Sequence, residues 1–119
     1  MTEPSTEPSG EARFVYMTAG LPEEARAIGR VLVTERLAAC ANVLPGMTSI
    51  YWWEGAAQED SEAVLIAKTT AALVDRLAAR VAELHSYDCP CVVALPIAGG
   101  HRPYLDWVAE EATGQAATP

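Results

Sequence analysis

Hydrophobic and polar positions along the chain change period several times, and each change marks an element. Phe14, Val15, Tyr16 and Met17 sit in a β-favouring run, so Arg13 to Ala19 is predicted as a strand, broken by Gly20. Pro22 suits a first helical position, and Glu23 and Glu24 suit the positive end of a helix dipole. Ala25, Ile28, Val31 and Leu32 then recur at helical spacing, which predicts a helix to about Leu37. Cys40 to Trp53 is a long β-like stretch interrupted by Pro45-Gly46, where a bulge or bend is expected because proline cannot donate to a ladder. Glu54-Gly55 predicts a turn, and Glu62 to Thr69 the returning arm of a hairpin. Thr70 is placed to cap the next helix, whose buried stripe is Leu73, Leu77, Val81 and Leu84. Val92 to Ile97 is a last strand, and Pro103 opens a short helix with Tyr104, Trp107 and Val108.

The order is β-α-β-β-α-β plus a terminal helix. It predicts an α+β chain of ferredoxin-like type: an antiparallel sheet with helices on one face, a long extended hairpin and an extra C-terminal helix. One domain is expected, over residues 12–112. Met1 to Glu11 is rich in Pro, Ser, Thr and Glu and lacks an apolar stretch, so it is predicted as a disordered tail rather than a signal peptide. Residues 113–119 are expected to be a second flexible tail.

The second strand is too long for its domain. Its 14 residues (40–53) at about 3.3 Å each span about 46 Å, whereas a domain of this size has a radius of gyration of about 13 Å. The hairpin should overhang, carrying Ile50, Tyr51, Trp52 and Trp53 with it. Alternation sends Trp52 and Trp53 to opposite faces, and a single domain covers at most one. Such a hairpin either folds back at Pro45-Gly46 or docks on another copy of the chain, which makes these four residues the expected interface.

Charge narrows the partners. The net charge is −8, and the eight basic residues are scattered, which argues against nucleic acid. No apolar run approaches the roughly 20 residues of a spanning helix, so no membrane is expected. Three cysteines, an odd count without a signal peptide, point to free thiols in a reducing cytoplasm.

The run Glu35-Arg36-Leu37-Ala38-Ala39-Cys40-Ala41-Asn42-Val43-Leu44-Pro45-Gly46-Met47-Thr48-Ser49-Ile50-Tyr51-Trp52-Trp53-Glu54-Gly55 resembles the signature region of the CutA divalent-cation-tolerance family. Glu59-Asp60-Ser61-Glu62, Lys68-Thr69, Leu95-Pro96 and Tyr104-Leu105-Asp106-Trp107 extend the resemblance over about Arg13 to Glu111. It implies a tight homotrimer joined through the long hairpin, a link to tolerance of divalent cations, copper above all, and no catalysed reaction. It also implies a likeness to the trimeric PII signalling proteins, and so the alternative of small-molecule sensing in a cleft between subunits. The chain departs from the family at His85-Ser86-Tyr87, where a middle proline is missing. It departs again at Cys91, where many members have Glu, and at Met17, where some have Cys.

These departures shape the candidate chemistry. Thiolates suit soft metals such as Cu(I) and Zn, so Cys40, Cys89, Cys91 and nearby His85 are the candidate ligands for copper, with Met17 a further soft group. In Cys89-Pro90-Cys91 the thiols lie two residues apart, on one side of an extended segment. The motif is weak as a metal signature, and two packed thiols without a ligand fit it equally well. For Cys40, burial as a small hydrophobe is the first reading. Lys68, Glu62, Tyr87 and His85 are the candidate lining of a ligand cleft. No set of nucleophile, base and orienting group is present as a motif, so an enzyme is not expected.

Overall fold

Residues 11–116 are described by the computed structural model. The expected N-terminal tail, apart from Glu11, lies outside them, as do residues 117–119. The elements are β1 (Ala12–Ala19), α1 (Pro22–Thr34), β2 (Cys40–Trp53), β3 (Ala56–Thr70), α2 (Val74–Leu84), β4 (Val92–Pro96) and α3 (Arg102–Glu111). One antiparallel sheet holds all four strands in the order β2-β3-β1-β4. This is the ferredoxin-like arrangement, because each helix crosses over one intervening strand.

Alternation decides which residues face the helices. Val15, Met17 and Ala19 of β1 stand beside Ala67, Leu65 and Ala63 of β3, all buried. Against them pack Ile28 and Leu32 of α1 and Leu77 and Val81 of α2. Gly29 lets α1 approach the sheet closely, since a Cβ there would lie 3.1 Å from Leu65 and 3.2 Å from Ala41. The opposite face carries Phe14, Tyr16, Leu44, Ile66, Val93 and Leu95, with Leu44, Val93 and Leu95 about half exposed. Helix α3 reaches this face at one end, where Tyr104 meets Cys40 and Lys68.

The hairpin is longer than the sequence pattern indicates, because β3 begins at Ala56 and not Glu62. Glu54 and Gly55 both take positive φ, +52° and +81°, the geometry of a two-residue turn matched to strand twist. The ladder shifts between Leu44 and Met47, three steps of β2 facing two of β3, so Pro45-Gly46 is a bulge. The hairpin does not fold back. Trp52 is 77% exposed and Trp53 61%, with Ile50 and Tyr51 also exposed. The radius of gyration, 15.5 Å, exceeds the roughly 13 Å of a compact domain.

Two expectations need correction at element ends. Helix α1 stops at Thr34 and not near Leu37, because Arg36 enters the left-handed region (φ 62°) and the amides of Leu37 and Ala38 turn back to the Leu32 carbonyl. Thr70 makes no side-chain cap; it precedes a single 3-10 turn, Ala71–Leu73. Beyond α3 the chain is tied back to the domain at Gly114. The Gly114 amide donates to the Arg36 carbonyl at 2.8 Å, and Arg76 donates to the Gly114 carbonyl at 2.8 Å. Gly114 has φ +75°, and a Cβ there would meet Arg76 at 2.5 Å.

Candidate functional site

Two polar clusters flank this largely open sheet face. The first joins the root of the hairpin to the loop between α2 and β4. Ser49 on β2 donates to Glu62 on β3 at 2.6 Å, and the Tyr87 hydroxyl donates to the other oxygen of the same carboxylate at 2.7 Å. Beside it, Tyr51 donates to Asp60 at 2.5 Å. Burial, the bond to Glu62 and the neighbouring negative charges push the Tyr87 phenol up to about 12. Burial and the Glu62 charge likewise push the Cys91 thiol up.

His85 anchors this loop from inside. Its side chain is 1% exposed. Nε2 lies 2.7 Å from the Thr18 carbonyl, which only accepts, so that nitrogen carries the proton; Nδ1 accepts the Tyr87 amide at 3.1 Å. Both ring nitrogens are therefore engaged, and the His85–Tyr87 rings stand 4.6 Å apart. Glu24, at the start of α1, accepts the Ser86 amide at 2.7 Å and the Ser86 hydroxyl at 3.0 Å.

Glu24 gives the loop a pH dependence. Burial pushes its carboxyl up, but the two Ser86 bonds, the His85 ring and the Gly20 amide outweigh it, holding the carboxyl below its ordinary 4.5. A carboxyl lowered in the folded state stabilises above its unfolded value and loses that contribution as pH falls. Glu24→Gln should therefore be less stable than the parent at neutral pH, by about 1 kcal/mol, for a mostly buried carboxylate that loses its charge-assisted bonds to Ser86. Urea unfolding should show the gap closing as pH drops through and below 4.5.

The second cluster lies at the other end of the sheet. Cys40 Sγ is 3.4 Å from the Tyr104 hydroxyl on α3. The Lys68 ammonium is 3.0 Å from Asn42 Oδ1, which accepts, and 6.0 Å from the Tyr104 ring centroid. The Cys40 contact, then burial, push Tyr104 up to about 12.

This geometry separates residues that the sequence grouped. Glu62, Tyr87 and His85 come together, but Lys68 is six positions along β3 from Glu62, about 20 Å away on an extended strand. The four do not line one cleft within a chain. The candidate metal ligands separate too. Cys40 pairs in register with Lys68, Phe14 and Leu95, whereas Cys91 precedes Val92 at the far end of β4 and three strands across. His85 has no free nitrogen to add to the thiols, and Met17 is sealed in the core facing the helices. Among the described residues no three of His, Cys, Asp and Glu are gathered to hold a metal. Sequence reading missed Glu24 and also Arg26 and Arg30, which flank a groove of about 270 Å³ between α1 and the outer strand β2. Their spacing of four on the polar side of a helix was the available signal.

The fold and these clusters define a ferredoxin-like α+β protein with an overhanging hairpin and polar groups at both ends of a largely open sheet face. Residues 13–111 match the family described as CutA1 divalent ion tolerance protein. The divalent-cation tolerance protein CutA of Thermus thermophilus is 52% identical over 96 residues, covering 81% of this chain and 93% of the relative. The crystal structure of CutA1 from Oryza sativa superposes with a TM-score of 0.84 at 38% identity, over 94% of this chain and 100% of that one. A structure from Archaeoglobus fulgidus, described as a periplasmic divalent cation tolerance protein CutA, gives a TM-score of 0.82 at 37% identity, over 85% and 98% of the two chains. The chain belongs to the CutA1 divalent ion tolerance protein family.

Proposed function

We propose that this protein works as a homotrimer in divalent-cation tolerance, binding copper or another soft metal, and that it is not an enzyme. The observation that carries the assembly is the pair of open sheet edges. The order β2-β3-β1-β4 leaves β2 and β4 unpaired on opposite margins of one sheet. Pairing β2 of one copy with β4 of the next is a head-to-tail contact, and such contacts close into a ring when the rotation allows. The same ring would cover the apolar sheet face and the exposed Ile50, Tyr51, Trp52 and Trp53. The family resemblance supplies the number three.

A metal role is supported by the family and by three free thiols, the protein's softest ligands. The thiols also fit a reducing compartment, and we place the protein in the cytoplasm; no helix among the described residues is long and apolar enough to cross a membrane. A binding role rather than catalysis is supported by the direction of the shifts. Cys91, Tyr87 and Tyr104 are all pushed away from their reactive anionic forms.

The scatter of the candidate ligands favours a second reading, a PII-like sensor of a small molecule held between copies, with Glu62, Tyr87 and His85 from one chain and Lys68 from its neighbour. Calorimetric titration of the purified protein with Cu(I), Cu(II), Zn(II) and nucleotides separates the two. Copper uptake without nucleotide uptake is expected. Nucleotide uptake without metal uptake would replace the first reading by the second.

A further inference from the structure

The motif Cys89-Pro90-Cys91 makes no hydrogen bond to either polar cluster among the described residues, although Cys91 lies near enough to Glu62 to feel its charge. Both thiols are free, Cys89 exposed and Cys91 partly buried. Among the described residues, no hydrogen bond to either sulfur is present. The loop that carries them is held at its other end by His85 and Ser86, so the pair is presented from a fixed base. Proline between them has no amide to satisfy and disfavours the helical region for Cys89. Two residues apart, their Cα atoms are separated by no more than about 7 Å, a gap that two side chains close by rotation about χ1. Continuing the alternation of β4 one step back from Val92 puts Cys91 on the same face as Val93 and Leu95.

The surroundings limit what such a pair can hold. Zinc takes four ligands in structural sites, and no group of three donors is present among the described residues. Both His85 nitrogens are engaged, so the nearest imidazole is spent. Calcium and magnesium need oxygen ligands in larger number. A soft monovalent cation satisfied by two thiolates is the class that fits.

We propose that Cys89 and Cys91 form a two-thiolate site for a soft monovalent cation of the Cu(I) type, presented by the loop before β4. The proposal rests on the metal reading above and names its site. No electron transfer is involved: two thiols lose their protons to solvent and two S–Cu bonds form.

The test uses the full-length reduced protein under anaerobic conditions, with Cu(I) delivered from a coloured competing chelator. The parent should withdraw one Cu(I) per chain, with thiolate-to-copper absorption in the ultraviolet, and Zn(II) should not displace it. Cys89→Ser/Cys91→Ser should lose both signals while keeping the parent's mass and circular dichroism. Cys89→Ser alone, at an exposed position, should also lose them, and it serves if the double variant fails to fold. Cys40→Ser should keep them. A double variant that binds as the parent does would overturn this site and leave the metal reading standing. Loss of binding in Cys40→Ser alone would move the site to Cys40. A parent that takes no Cu(I) would overturn both the site and the metal reading.

Discussion

Trp52→Asp should break the assembly into folded single chains. In the isolated chain Trp52 is 77% exposed, so the substitution touches none of the domain's own core. Its effect falls on the contact proposed between the hairpin and another copy. A tryptophan buried there contributes a large apolar area, and a carboxylate in its place is buried without a partner, a penalty of several kcal/mol per site. Each of the three contacts in a ring carries the same lesion. Light scattering on dilute protein should report the mass of one chain, with far-ultraviolet circular dichroism unchanged. Trp52→Phe, which keeps the apolar ring, should stay assembled. An unchanged mass in the Asp variant would remove the hairpin from the interface.

His85→Ala should be the most destabilising change in the loop and should leave soft-metal uptake intact. The imidazole is almost fully buried and satisfies two backbone groups at once, the Thr18 carbonyl and the Tyr87 amide. Removing it leaves a cavity beside an unpaired carbonyl and an unpaired amide, together costing about 3 kcal/mol. The midpoint of urea unfolding should fall accordingly. A variant as stable as the parent but unable to bind Cu(I) would show that His85 is a ligand after all.

These predictions depend on features of unequal legibility. The elements were readable because their periods are clean: β2 begins and ends where the β-like stretch does, and Pro45-Gly46 sits at the bulge. The end of α1 was not readable, because the residue that turns left-handed is Arg36 rather than a glycine, and its side chain is tied to Glu111 on α3, 75 positions away. The docking of Gly114 has the same origin in distant contacts.

The site divides along the same line. His85 and Tyr87 are neighbours in sequence and stay neighbours in space. The Tyr87–Glu62 and Ser86–Glu24 bonds join segments whose approach depends on sheet register and helix placement, and no local pattern announces them. One misplacement was avoidable. Met17 shares strand parity with Val15, which already marked it as a core position. Lys68 and Glu62 stand six residues apart on one predicted strand, about 20 Å, so a subunit cleft that uses both would draw them from different chains.

Sedimentation or light scattering of the full-length parent tests the central claim most directly. The proposed ring of three would pair the open sheet edges and cover the exposed hairpin. The expected mass is three times the 12.7 kDa of one chain, held on dilution. A stably folded single chain, or a dimer, would contradict it.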